Sequence, residues 1–261
     1  MPECRICDKM AERVKWGGMV TAEKSRFGLS SAALRYLAIF LMLLDHTWTA
    51  LVKPAAFWMT CVGRLTFPIF AFLIAEGFYH TSDRKKYALR LFVGGLISEI
   101  PYNLFTMANF TNPKEQNIMF TLLFGLLALW ACHWAQEKGD AKSYLIACAA
   151  FAALYALSEQ LRVDYRGLGM TAVVMFGLLR NMKYEKLLQV LCFGILFSTI
   201  PGRTLAVGTF EFPIQMFAVL ALIPIWLYNG KPGMKNKFLQ YGAYLFYPAH
   251  LGVLAILRRI L

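Results

Sequence analysis

The first long apolar stretch of the chain, LRYLAIFLMLLDHTWTALV, contains three ionisable residues: Arg35, Asp45 and His46. Such side chains are costly inside a membrane-length helix, so they indicate a functional site. Arg35 and His46 are eleven residues apart, which is close to three helical turns, so their side chains point the same way about 16 Å apart along the helix axis. An imidazole suits proton transfer near neutral pH, and a cation suits an anionic ligand.

The composition tells us what kind of helix carries these residues. The chain is 58% hydrophobic and only 16% charged, whereas soluble domains carry about 25% charged residues. Its apolar stretches also reach the roughly 17 to 25 residues that a membrane-spanning helix needs. We therefore predict an all-α fold, a polytopic transmembrane helical bundle, because helices pair their own backbone groups inside lipid.

Hydropathy predicts nine spans, of which the sixth and seventh are short. They lie near residues 33–51, 62–80, 87–105, 118–135, 143–158, 167–180, 187–201, 212–228 and 238–257. Residues 1–30 form a basic tail, and residues 31–261 form the membrane domain. Basic residues concentrate in alternate loops, which places the N-terminus in the cytoplasm. The same bias explains the net charge of +12 without a nucleic-acid partner.

The cysteines do not indicate a metal site. Cys4 and Cys7 form a C-x-x-C pair in the tail, but no second pair completes a zinc site. We expect no metal, and the role of this pair stays open.

The predicted topology sorts the polar residues into two layers. The inner layer is basic and suits the phosphates of a ligand; it contains Arg35, Glu76, Arg84, Lys85, Lys86 and Arg90. The outer layer combines carboxylates with imidazoles and suits proton transfer; it contains Asp45, His46, Arg64, Glu99, Asn103, Asp164, Tyr165 and His250.

Two predictions concern the partners of His46 in the outer layer. Neighbouring helix residues diverge by about 100°, so Asp45 is poorly placed to orient the His46 ring. Glu99 is predicted at similar depth and is the better candidate. The structural alternative is that Arg64 and Glu99 form an ion pair that only joins two helices.

Several segments resemble the TraX family: FPIFAFLIAEGFYHT (67–81), ALRLFVGGLISEIPYNL (88–104), NIMFTLLFGLL (117–127), DYRGLGM (164–170) and AYLFYPAHLGVL (243–254). That family is associated with conjugative pili and with acetylation of pilin. It also resembles the wider acyltransferase-three group of membrane enzymes, in which an R-x10-H pattern in the first span carries the essential histidine. Arg35 and His46 match that spacing, and the stretch from Tyr247 to Leu251 resembles the closing helix of that group.

The resemblance implies a multi-pass acetyltransferase of the cell inner or plasma membrane. Acetyl-CoA would bind from the cytoplasm on Arg35, Arg84, Lys85, Lys86 or Arg90, and His46 would act as the base. The acceptor would be an amine of a pilin-like peptide or a hydroxyl of a cell-surface glycan. Two alternatives remain: a transporter or proton-path component, and a non-catalytic subunit of a conjugation or secretion machine.

Overall fold

The computed structural model describes residues 28–107, 110, 115–207, 209–233 and 237–261. The C-x-x-C pair and most of the basic tail lie outside these residues, so their interpretation stays a prediction. The described part is predominantly helical, as predicted.

Helical structure lies at each of the nine predicted apolar segments. The helices are α1 (Ser31–Thr47), which continues into a π-helical turn (Trp48–Val52), α2 (Trp58–Gly63), α3 (Thr66–His80), α4 (Arg84–Met107), α5 (Ile118–Lys138), α6 (Ala141–Gln160), α7 (Arg166–Leu179), α8 (Glu185–Thr199), a 3-10 segment (Ile214–Ala221) that leads into α9 (Leu222–Trp226), and α10 (Lys237–Ile260). Among the described residues, three stretches are long and apolar enough to cross a membrane: Trp58–His80, Ile118–Lys138 and Ala141–Gln160.

Polar residues begin several helices by capping free backbone N–H groups. The Ser30 hydroxyl accepts from the backbone N–H of Ala33 at 3.2 Å at the start of α1. Asn117 accepts from Met119 at 3.1 Å at the start of α5, and the fully buried Asn117 side chain has no solvent to replace that bond. Such caps stabilise a helix by about 1 kcal/mol each.

Helix α5 lies at the centre of the fold and packs against α4, α6 and α7. The contact with α7 depends on glycine. A β-carbon on Gly125 would lie 2.6 Å from Val173, and one on Gly177 would overlap Leu129. Small residues let helix backbones approach closely, so α5 and α7 pack tightly along their length.

One element departs from the helical prediction. An antiparallel hairpin, β1 (Thr204–Val207) and β2 (Phe210–Pro213), separates α8 from the 3-10 segment, with Leu205 paired to Phe212. Pro201 and Gly202 end the helical pattern before it, and β-branched and aromatic residues favour extended backbone. The strands were missed because they are only four residues long.

Candidate active site

A cavity of about 940 Å³ follows α1 from Arg35 past His46 to Lys53. Its volume is in the range of ligand-binding sites. Of the residues singled out from the sequence, those that line the cavity are Arg35, Asp45, His46, Arg64, Asp164, Tyr165 and Tyr247. Arg35 and His46, which lie on one face of α1, therefore share one chamber.

His46 pairs with a second histidine from the other end of the chain. His46 Nδ1 lies 2.7 Å from Nε2 of His250 in α10. Nδ1 of His250 lies 2.7 Å from the carbonyl oxygen of Phe246. Phe105 from α4 packs against the His46 ring with centroids 5.1 Å apart. The base predicted from the sequence thus lies between α4 and α10.

The prediction that Glu99 orients His46 is wrong in this geometry. The Glu99 carboxylate instead accepts a hydrogen bond from the side-chain amide of Asn117, which also donates to the carbonyl oxygen of Gly95 at 2.8 Å. Asn117 lies at the start of α5 next to Glu99 and engages one oxygen, Oε2, of the carboxylate that was expected to face His46. The buried Asn103, one turn further along α4, likewise does not line the cavity.

Asp45 pairs with Arg64 rather than with His46. A guanidinium nitrogen of Arg64 donates to Oδ2 of Asp45, and the Nε of Arg64 donates to the carbonyl oxygen of Thr60 at 3.3 Å. This replaces the alternative ion pair between Arg64 and Glu99. The sequence predicted that Asp45 would not orient the His46 ring, and its carboxylate bonds Arg64 instead. The two residues together place one negative and one positive charge on the cavity wall.

One buried polar atom on this wall, Oδ1 of Asp45, has no hydrogen-bond partner among the residues that the structure describes, and Asp45 lines the cavity. Buried polar groups are almost always hydrogen-bonded. The wall therefore offers this oxygen as an acceptor to a polar ligand.

Asp164 and Tyr165 reach the cavity from the turn between α6 and α7. The backbone N–H of Asp164 donates to the carbonyl of Gln116 at 2.9 Å, and the hydroxyl of Thr121 donates to the Asp164 carbonyl. Burial raises the pKa of the Asp164 carboxyl to about 6, and the charge of Arg64 opposes that rise. Tyr165 stacks on Phe67 with centroids 4.2 Å apart. The turn is therefore fixed by backbone hydrogen bonds at Asp164 and by ring stacking at Tyr165.

The end of the cavity beside Trp48 carries two cations. The Lys53 ammonium and the Arg203 guanidinium lie 5.1 Å and 5.0 Å from the ring centroid of the buried Trp48. Burial and the nearby Arg203 lower the pKa of Lys53. Arg162 and Arg166 also line the cavity. The sequence alone does not single out these residues as cavity residues, because loops carry no periodicity that shows which way a side chain faces.

Of the five cations predicted to bind a donor, only Arg35 lines the cavity. The Arg84 guanidinium instead packs over the Phe78 ring at 4.2 Å, Lys86 pairs with Asp83 at 3.3 Å, and Arg90 lies over the Tyr87 ring at 5.4 Å. Lys85, with Arg84, borders a separate surface pocket. Their adjacency in sequence did not place them at the cavity, because a helix turns them to different faces.

Glu76 joins helices on the side of the molecule near Arg180. Its buried carboxylate accepts from the Nε of Arg180 at 3.1 Å and lies 2.8 Å from Nε2 of His80. Glu76 does not line the cavity. Its bond to Arg180 links α3 to the end of α7.

Comparison with known proteins places the chain in context. The family model described as "TraX protein" matches residues 30–258. A protein of Dichelobacter nodosus described as "Probable fimbrial assembly protein FimC, serogroup H1" is 28% identical over 244 residues, which cover 86% of this chain and 94% of that protein. No solved structure matches the chain.

Proposed function

This chain belongs to the TraX family, and on that premise we propose that it is an integral membrane acetyltransferase. It moves an acetyl group from cytoplasmic acetyl-CoA to an amine or hydroxyl at the outer face. The observation that carries the proposal is that Arg35 and His46 line one cavity. A cation for the phosphates of the donor and a base for the acceptor are then about 16 Å apart along α1, a separation of the order of an extended pantetheine arm.

The proposal includes a topology. The protein crosses the inner or plasma membrane nine times, with its N-terminus in the cytoplasm. The three long apolar stretches support membrane insertion, and the basic loops support the orientation. Arg35 then lies near the cytoplasm, and Lys53 and Arg203 lie at the opposite end of the cavity.

Arg35 suits the role of donor anchor because its charge is available. Within the described part of the chain, its guanidinium makes no ion pair or hydrogen bond, although it lines the cavity. An arginine binds phosphate oxygens through two parallel hydrogen bonds. The phosphates of acetyl-CoA supply the counter-charge that a half-buried cation needs.

The chemical step is a direct transfer. The acceptor nitrogen or oxygen attacks the thioester carbonyl carbon, and its proton passes to the His46 imidazole. The carbon–sulfur bond breaks, and His46 returns the proton to the departing thiolate as CoA leaves. A positioned base of this kind contributes about 10²- to 10⁴-fold to the rate. No acetyl-histidine forms on this route.

The acceptor is a pilin-like peptide with a free amine or a surface glycan with a free hydroxyl. The printed name of the Dichelobacter nodosus relative, a fimbrial assembly protein, favours the peptide. The basic outer end of the cavity, with Lys53 and Arg203, favours an acceptor that carries a negative charge near its reacting group.

The same printed name supports a second candidate, a non-catalytic assembly factor for pili. A path for protons or small solutes is a third, because polar residues on the wall of a membrane cavity also serve transport. Neither requires acetyl-CoA. Binding and turnover of acetyl-CoA therefore separate the candidates.

The test uses the purified full chain in lipid vesicles with radiolabelled acetyl-CoA and a pilin-like peptide. Wild-type protein is expected to bind acetyl-CoA and to label the peptide. His46→Ala should bind acetyl-CoA with near-normal affinity and lose about 10²- to 10⁴-fold in rate. His133→Ala is the matched control, because His133 lies outside the cavity. Wild-type protein that neither binds nor consumes acetyl-CoA would exclude the enzyme.

A further inference from the structure

We infer that His250 is a positioning residue that holds His46 in one tautomer, with the proton on Nδ1 and a bare lone pair on Nε2. The catalytic consequence rests on the proposed function. The tautomer itself can be measured without any activity, so the two can fail separately.

The inference starts from the carbonyl of Phe246, which can only accept a hydrogen bond. It lies 2.7 Å from Nδ1 of His250, so that nitrogen must carry a proton. In a neutral imidazole the other nitrogen is then an acceptor. Nε2 of His250 therefore accepts, and the atom 2.7 Å away from it, Nδ1 of His46, must donate. By the same rule, Nε2 of His46 has no proton.

The geometry of the two rings fits this bond. Their planes differ by 7° and their centroids are 5.0 Å apart. With a 2.7 Å contact between the nitrogens, that centroid separation is nearly as large as two imidazoles allow. The rings therefore lie edge to edge in a common plane, and the lone pair of one nitrogen points along the N–H bond of the other.

Neighbouring aromatic rings keep the pair in this plane. The Phe246 ring stacks on His250 with centroids 4.8 Å apart and planes 11° apart. Phe105 packs against His46 from α4. A histidine that is free to turn could present either ring nitrogen to its partner, whereas these contacts fix the orientation of both rings. The pair also joins α1 to α10 through two residues that are 204 positions apart in sequence.

The tautomer matters because His46 must receive the proton of the acceptor. It lines the cavity, whereas His250 does not. With Nδ1 bound to His250, the nitrogen left for the acceptor is Nε2. When Nε2 takes the proton, Nδ1–H keeps its hydrogen bond to His250, so the imidazolium that forms is stabilised. The orienting carboxylate of a catalytic triad fixes its histidine in the same manner.

The first test is nitrogen-15 solid-state NMR of histidine-labelled full-length protein in lipid bilayers. The chain has only four histidines, and His80→Gln and His133→Gln assign two of the signals. The expected spectrum shows protonated Nδ1 and bare Nε2 for both His46 and His250. A spectrum with the His46 proton on Nε2 would overturn the inference, whatever the activity of the protein.

The second test compares two substitutions of His250. His250→Phe fills the space but removes the acceptor, so His46 should lose its single tautomer. We expect kcat to fall roughly 10- to 100-fold, as when the partner that orients a metal-bound histidine is lost, with KM for acetyl-CoA unchanged. His250→Gln keeps an acceptor oxygen and should recover much of the rate. His133→Phe is the control for loss of a partly buried imidazole outside the cavity.

The outcomes are distinct. If His250→Phe keeps both the wild-type tautomer and the wild-type kcat, the inference fails. If it does not fold, the wild-type spectrum and His250→Gln still decide. If the wild-type spectrum is as expected but no acetyl transfer occurs, the proposed function fails and the histidine pair remains.

Discussion

Gly63 packs directly against the side chain of Asp45, because a β-carbon on Gly63 would lie 2.8 Å from the Asp45 carboxyl carbon. The glycine immediately precedes Arg64, the partner of that carboxylate. The absence of a side chain at residue 63 lets α2 approach α1 closely enough for the ion pair to form on the cavity wall.

Gly63→Ala should therefore displace Asp45 and weaken the ion pair. Overpacking of this kind costs about 1 to 3 kcal/mol, which should lower the thermal midpoint in detergent. Gly194→Ala in α8 is the matched control, because a β-carbon there meets nothing within 4 Å. It should be neutral or stabilising by up to about 1 kcal/mol. Equal losses in both variants would contradict the close approach.

The Asp45–Arg64 pair can be measured with a double-mutant cycle. Asp45→Asn and Arg64→Gln each leave a charge in the cavity wall without its partner, since the two side chains are only 12% and 25% exposed. The double variant should lose less stability than the sum of the single variants, with a coupling of about 0.5 to 3 kcal/mol. Thermal unfolding in one detergent supplies all four values, and strict additivity would argue against the pair.

Arg35→Ala should raise KM for acetyl-CoA about 10- to 100-fold, because a hydrogen bond to a charged group contributes about 1.5 to 3 kcal/mol. The value of kcat should stay nearly constant, since the lost contact is made equally in the ground and transition states. Arg84→Ala is the control, because Arg84 packs over Phe78 outside the cavity. If Arg84→Ala raised KM for acetyl-CoA and Arg35→Ala left it unchanged, the donor would bind at the surface pocket beside Arg84 instead.

Glu76→Gln should destabilise the fold by about 1.5 to 3 kcal/mol, because it weakens two hydrogen bonds to charged or titratable partners. The Glu76 carboxylate is 8% exposed, whereas that of Glu137, which pairs with His133 at 3.2 Å, is 60% exposed. Glu137→Gln should change stability by no more than about 0.5 kcal/mol. Thermal midpoints of the two variants, measured side by side, check this contrast.

The sequence predicted the parts of this site that depend on a local period. Helical spacing placed Arg35 and His46 on one face of α1, and each of the nine segments predicted from hydropathy contains helical structure. The partners of those residues depend on long-range packing instead. His250 follows His46 by 204 residues, and nothing in a local pattern selects it over Glu99.

Asn117 explains why the carboxylate prediction went wrong. In the sequence it is only the first residue of an apolar segment, yet its side-chain oxygen caps α5 and its amide nitrogen donates to Glu99. A cap is recognisable from sequence, but the second hydrogen-bond partner of the capping residue is not.

The hairpin was not predicted because its strands have only four residues each. An alternating pattern of that length is too short to be distinguished from the apolar helical patterns on either side.

The glycine contacts between α5 and α7 determine which side of the cavity can move. Val173 of α7 packs on Gly125 of α5, and Leu129 of α5 packs on Gly177 of α7. Rotating or sliding α7 along α5 would bring larger side chains against Val173 and Leu129, so these two helices form a fixed wall. Any widening of the chamber would then have to come from its other walls, which include α1 and α10. Because the histidine pair bridges those two helices, a movement that parted them would also break the hydrogen bond that orients His46.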